Sequence, residues 1–250
     1  MTTARRFTNA GYMIGGVLLL LAFVEIVARL GISTHWPSLV DVVGYLEEEN
    51  RRQILWRNTL VTLESSVRGL VVGTVLAVLA GAVSVLVPIL RPGLDRFAAI
   101  VNAVPLVALA PLFVTTVGAD GAPAVVAAMG VGFVVFVATT SGLANASRTH
   151  QDVFSVFGAN RFRRLLRLEL PQATPSIIDG LVLAAPTAVL GATIGEWFGA
   201  SGGLGMMIVA AAHSGNVPQL WAVALTATLM ALIAYFVFIA VQRGTARRFT

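Results

Sequence analysis

DVFSVFGANRFRRLLRLELP, residues 152–171, lies between two long apolar stretches and resembles neither of them. It carries Arg161, Arg163, Arg164 and Arg167, with a glycine at 158 and a proline at 171. At helical spacing Val153, Phe154 and Phe157 share one face before the glycine. Phe162, Leu165, Leu166 and Leu170 share another after it, with Arg163, Arg164 and Arg167 largely opposite. Gly158 can take the left-handed backbone that ends one helix and turns the chain into the next. Pro171 is expected to end the second helix at the residue before it. The pattern predicts helix, turn, helix, with an apolar face open to a partner or to the protein's own core. On these features alone, an amphipathic linker lying on anionic lipid fits equally well.

The surroundings decide the class. Hydrophobic residues make up 57% of the 250-residue chain and charged residues 12%, against about 25% charged in soluble domains. At least five stretches of roughly 18 or more residues have no hydrophilic break, the length a helix needs to cross a bilayer. We therefore expect an all-α, polytopic membrane protein, one domain over 1–250, with about six transmembrane helices. They are expected near residues 12–28, 60–87, 94–117, 122–141, 176–198 and 220–241. The first follows Arg5 and Arg6 and has no small-x-small cleavage site after it, so it is read as a span and not as a signal peptide. Residues 31–58 read as a short amphipathic helix and a turn outside the bilayer. Gly69, Gly73 and Gly81 would let other helices approach the second span closely. Pro105 and Pro111 should kink or interrupt the third. The stretch GASGGLGMMIVAAAHSGNVPQ, residues 199–219, reads as a link to the last span.

The net charge is +5, every one of the 17 basic residues is arginine, and there is no cysteine. Disulfides and thiolate metal sites are excluded. The arginine excess points to membrane topology and not to nucleic acid. With the N-terminus inside, the inner side holds Arg5, Arg6, Arg91, Arg96, the arginines from 148 to 167, and Arg243, Arg247 and Arg248. The outer side holds Arg29, Arg51, Arg52 and Arg57. That bias puts both termini and the 142–175 loop in the cytoplasm, for a multi-pass protein of the inner or plasma membrane.

Gly158, then Leu168, Leu170 and Pro171, fit the Gly-x9-Ile-x-Leu-Pro signature that ends the EAA motif of importer permeases of the ATP-binding cassette class. GANRFRRLLRLELPQATPSIIDGL resembles that family's loop over its whole length. The resemblance extends to PSLVDVV, SSVRGLVVG, NAVPLVALAPLFV and GATIGEWFGASGGLGMMI, which is most of the chain. It is closest to the nitrate/sulfonate/taurine-type permeases, a group that includes permeases for pyrimidine vitamin precursors. It implies a type I importer permease fold whose 152–171 loop is a coupling helix seated on a cytoplasmic ATPase dimer. The implied coupling residues are Asp152, Val153, Phe154, Phe157, Gly158, Ala159, Arg161, Leu168, Leu170 and Pro171. The further implied partners are a second permease subunit, as homodimer or heterodimer, and an extracytoplasmic solute-binding protein. ATP and Mg²⁺ would bind the ATPase, and this chain would hold no cofactor. The implied solute is a small organic molecule, with a sulfonate-like anion first and a pyrimidine or other vitamin precursor second. The family's Glu falls on Asp152, and its two small Ala positions fall on Val153 and Phe154. The bulkier pair implies an altered groove fit, which a heterodimer with a better-matched partner would explain.

Polar groups inside spans mark a pathway or a pair. Glu64 and Arg68 are four apart, so they can pair on one face; alternatively Arg68 faces the path and attracts an anion. Glu196 is expected either at an outer gate or path, or bonded to backbone at a helix end. Asn102 and Pro105 are candidates for the wall of the path. Asp179 would complement a helix N-terminus. GASGGLG lacks the Lys-Ser/Thr ending of a phosphate loop. His35, His150 and His213 are scattered, so no metal site is expected. The rival classes are an intramembrane enzyme using Asp179, Glu196 or His213, and a membrane scaffold; neither is preferred.

Overall fold

The computed structural model describes residues 36–145 and 147–249, with isolated positions between 16 and 29. The span expected at 12–28, and His35, lie outside the described residues apart from those isolated positions. Among the described residues every regular element is helical.

Helix α1, Leu39–Glu47, starts at Ser38 with a capping box. The Ser38 Oγ accepts from the Asp41 N–H at 3.1 Å, and the Asp41 carboxylate accepts from the Ser38 N–H at 3.1 Å. Val42 and Tyr45 pack on Ala222, and Trp36 stacks on Trp221 at 5.8 Å. Glu48 is extended, and α2, Glu49–Leu86, then runs unbroken for 38 residues. The short helix and turn expected within 31–58 are α1 and the break at Glu48, and α2 starts ahead of the expected residue 60 because Glu, Arg and Gln are good helix formers. At 1.5 Å per residue, α2 is about 57 Å long and its charged first turns project beyond a hydrocarbon core of about 30 Å.

The buried stripe of α2 is Leu55, Thr62, Ser66, Gly69, Gly73, Ala77, Gly81 and Ser84. From Thr62 onward these are small residues at intervals of three or four, and they let α5, Ala122–Ala144, lie against α2. A Cβ on Gly73 would stand 2.6 Å from the carbonyl oxygen of Ala128, so glycine there sets how near the two helices come. On its other side α5 packs against α7, Arg161–Glu196. Ala77, Val131, Val135, Phe136, Ala184 and Ala188 form the main core between α2, α5 and α7.

The third expected span is two helices, α3, Arg91–Ala103, and α4, Leu106–Val117, bent by 97°. The break is at Pro105, which forces Val104 into an extended backbone. Pro111 stays inside α4. Helix α6, Arg148–Val156, precedes α7. The link expected at 199–219 contains a further packed helix, α8, Leu204–Ser214, with Leu204, Met207 and Ala211 buried. Helix α9, Val217–Phe249, completes the bundle. Among the described residues four helices (α2, α5, α7 and α9) are long and apolar enough to cross a membrane, and the bent pair makes up to five.

Candidate functional site

Helix α6 ends as the glycine demands. Gly158 sits at φ +68°, its N–H donates to the Ser155 carbonyl at 3.0 Å, and the Ala159 N–H donates to the Phe154 carbonyl at 3.0 Å. These two bonds form a Schellman closure. The Asn160 Oδ1 then accepts from the Arg163 N–H at 2.8 Å and opens α7. The turn leaves Val156 86% and Phe157 83% exposed, with Val153 and Phe162 also outward and Phe154 half-buried. Asp152 and Arg161 are exposed beside them, and Ala159 is half-buried. Val156 completes this apolar face, although it was not among the expected residues.

The second half of the segment departs from expectation. Leu165 is buried against Leu143 and Ala173 and Leu168 is also buried, whereas Phe162 and Leu166 face outward, so the expected single face is split. Leu170 is half-buried. Pro171 does not end the helix, because α7 continues through it to Glu196. A π-helical turn over Leu165–Glu169 precedes the proline, with the Leu170 N–H donating to the Leu165 carbonyl. That wider turn loosens the ladder where the ring would crowd a carbonyl four residues back. Within it, the Arg164 Nε donates to Glu169 Oε1 at 2.8 Å, and Glu169 is 3% exposed. The pair is five residues apart, one more than the spacing an α-helix brings together, as the wide turn requires. Asp179 accepts from the Gln242 side chain at 2.8 Å, which ties α7 to α9 in place of the expected role at a helix N-terminus.

The opposite end of α7 carries a second polar cluster. Glu196 is 1% exposed. Its Oε2 accepts from the Thr62 hydroxyl at 3.0 Å and from the Gly205 N–H at 2.8 Å. The Thr62 Oγ1 accepts from the Leu204 N–H at 2.8 Å, and the Asn58 Oδ1 accepts from the Gly203 N–H at 2.7 Å. The three N–H groups that open α8 are thus capped by side chains of α2 and α7, and the carboxylate stands at the positive end of the α8 dipole. A Cβ on Gly203 would fall on the Glu196 carboxyl group. Just before α8, the Ser201 N–H and hydroxyl donate to Asp120 Oδ1 at 3.1 and 2.7 Å, and these bonds hold the Asp120 carboxyl below the usual carboxylate range. Asn58, Thr62 and Asp120 were not anticipated, and no local pattern marks them.

The remaining expected residues lie apart. Arg68 pairs with Glu64 at 2.5 Å on an exposed face of α2. Asn102 and Pro105 are exposed beside the break between α3 and α4. Two apolar grooves of about 470 and 510 Å³ flank α2, one against α3 and α5, the other against α7 and α9. None of Arg68, Asn102, Pro105 and Glu196 lines either groove.

Residues 71–250 match the family described as binding-protein-dependent transport system inner membrane component. A "Probable ABC transporter permease protein" of Haemophilus influenzae is 32% identical over 90% of this chain and 91% of its own length. The formylaminopyrimidine transport permease ThiX of Halalkalibacterium halodurans is 38% identical over 41% of each chain. SsuC of Bacillus subtilis, assigned to aliphatic sulfonate transport, is 25% identical over 85% of this chain and 79% of its own. Among solved structures, a chain of the MetNI methionine ABC transporter in an inward-facing conformation superposes with a TM-score of 0.69, covering 79% of this chain and 98% of that one at 18% identity. That likeness is one of fold.

Proposed function

The chain belongs to the family of binding-protein-dependent transport system inner membrane components, as an ABC importer permease, and we propose that residues 152–171 couple it to a cytoplasmic ATPase dimer. Its apolar helices make it a membrane protein. A second permease subunit and an extracytoplasmic solute-binding protein complete the assembly, and ATP and Mg²⁺ bind on the ATPase. Both termini and α6 face the cytoplasm.

The observation that carries the coupling role is the exposed apolar tip Val156–Phe157, held by the Gly158 turn at the foot of α7. From Arg161 to Glu196 that helix is unbroken, about 54 Å long. A force applied at the tip therefore reaches the far end of the bundle as a rigid-body movement. Asp152 and Arg161 border the apolar tip and orient it in a groove. Replacing Val156 and Phe157 by Asp leaves the buried residues untouched. It should reduce co-purification of the ATPase at least tenfold and abolish ATP-driven uptake, with normal membrane yield of the permease. Unchanged co-purification and uptake would refute the coupling role.

The solute is a small organic molecule. A sulfonate-like anion is supported by the likeness to SsuC, with Arg68, Asn102 and Pro105 as path candidates. The Glu64–Arg68 pair favours the second reading, a neutral pyrimidine-type vitamin precursor, because it cancels the charge an anion would use. Mass spectrometry of the ligand held by the binding protein that supports uptake decides between them.

A further inference from the structure

The first turn of α8 has no capping side chain of its own. A helix start normally caps its N–H groups with a local Ser, Thr, Asp or Asn; here the groups come from residues about 140 positions earlier and from the end of α7. The segment between Glu196 and Gly205 holds two left-handed glycines, Gly199 at φ +98° and Gly203 at φ +113°. It is tied on one side to α2 and α7 and on the other, through Ser201, to Asp120 in the turn after α4. One short strap therefore joins three crossing elements at this end. It does so through these hydrogen bonds, with Leu204 at its far end buried in the cluster of Leu55, Val189 and Met207; such contacts have discrete made and broken states.

We propose that Glu196 is a positioning residue of the transport cycle: its carboxylate latches the 197–205 strap onto α2 and holds this end of the path shut, and the strap pivots about Gly199 and Gly203 when the path opens. The proposal rests on the chain being the permease of an ATP-driven importer. It moves Glu196 from the path wall to a place behind it, because a carboxylate 1% exposed does not meet the solute.

The chain has no cysteine, and a Cβ on Gly202 would stand 3.3 Å from the Asn58 side-chain oxygen. Asn58→Cys with Gly202→Cys thus gives a reversible staple across the strap. The complete importer, with its co-purifying ATPase and binding protein, is assayed in proteoliposomes. Oxidation should reduce ATP-driven uptake at least tenfold, and reduction should restore it. Uptake by the cross-linked form equal to that of the reduced form would overturn the latch. A second arm needs no staple. Glu196→Gln keeps an acceptor oxygen for Thr62 and Gly205 and should behave as wild type. Glu196→Ala should raise ATP hydrolysis in the absence of binding protein several-fold. A Glu196→Ala permease that assembles in normal yield and hydrolyses ATP at the wild-type level would also overturn it. If the wild-type assembly itself shows no ATP-driven uptake, the permease reading fails and not the latch.

Discussion

Glu169 is the one acid between Arg161 and Leu170, and the fold puts it inside. A buried carboxylate is tolerated when it is paired, and Arg164 supplies the pair across the π-helical turn. The salt bridge therefore fixes the geometry by which the exposed segment joins the bundle. Glu169→Ala would leave the Arg164 guanidinium, which is a quarter exposed, without its acceptor, at about 1–3 kcal/mol. Removing Arg164 as well should recover much of that loss. A double-mutant cycle on thermal unfolding in detergent reads the coupling directly. Strictly additive losses would mean that the pair contributes no coupling to the turn.

At the scale of elements, the turn after α4 and the strap before α8 are held together by Asp120 and Ser201. The Asp120 pKa is lowered by the Ser201 hydroxyl and then by its backbone N–H. The folded value lies below the unfolded one, so this link is fully present above the ordinary carboxylate range and is lost as pH falls through the depressed folded value. Hydrogen exchange of the Ser201 amide should therefore be slower in wild type than in Asp120→Ala near neutrality, with the two converging in acid. Equal rates at neutral pH would show the link to be absent. Legibility followed the range of each cause. The Gly158 turn could be read because left-handed backbone is a property of one residue, and the break at Pro105 because a proline constrains its immediate neighbour. The passage of α7 through Pro171 could not, since the wide turn that accommodates it is held by a buried ion pair and by Leu165 and Leu168 packing inward. Helix α8 was hidden by its glycine-rich start, whose capping groups are supplied by distant Asn58 and Thr62 and by Glu196 of α7.

Across the whole molecule, hydrogen bonds settle how the chain is threaded. Thr62, in the first half of α2, bonds Glu196 at the end of α7, so these two points share one end of the bundle. Helix α2 finishes at the other end, where α3 begins. Asp120, just after α4, bonds Ser201 and so has returned to the Glu196 end. The bent pair α3–α4 is therefore a crossing and not a re-entrant loop, despite its 97° break. From α2 onward the chain makes five crossings: α2, α3–α4, α5, α7 and α9. Arg91, Arg96, Arg161, Arg163, Arg164, Arg167 and Arg243 gather at the end that holds α6, whereas Arg51, Arg52 and Arg57 sit near the start of α2. The larger cluster is the one that the proposed orientation places on the cytoplasmic side, where basic residues are in excess. Because the chain lacks cysteine, single substitutions report each side without background. Asn50→Cys, exposed at the start of α2, should react with an impermeant maleimide on sealed spheroplasts. Val156→Cys should react only after the membrane is opened, and more slowly when the ATPase is bound than when it has been stripped away. Labelling of Val156→Cys on sealed spheroplasts, with Asn50→Cys silent, would invert the orientation and remove α6 from the reach of any cytoplasmic ATPase.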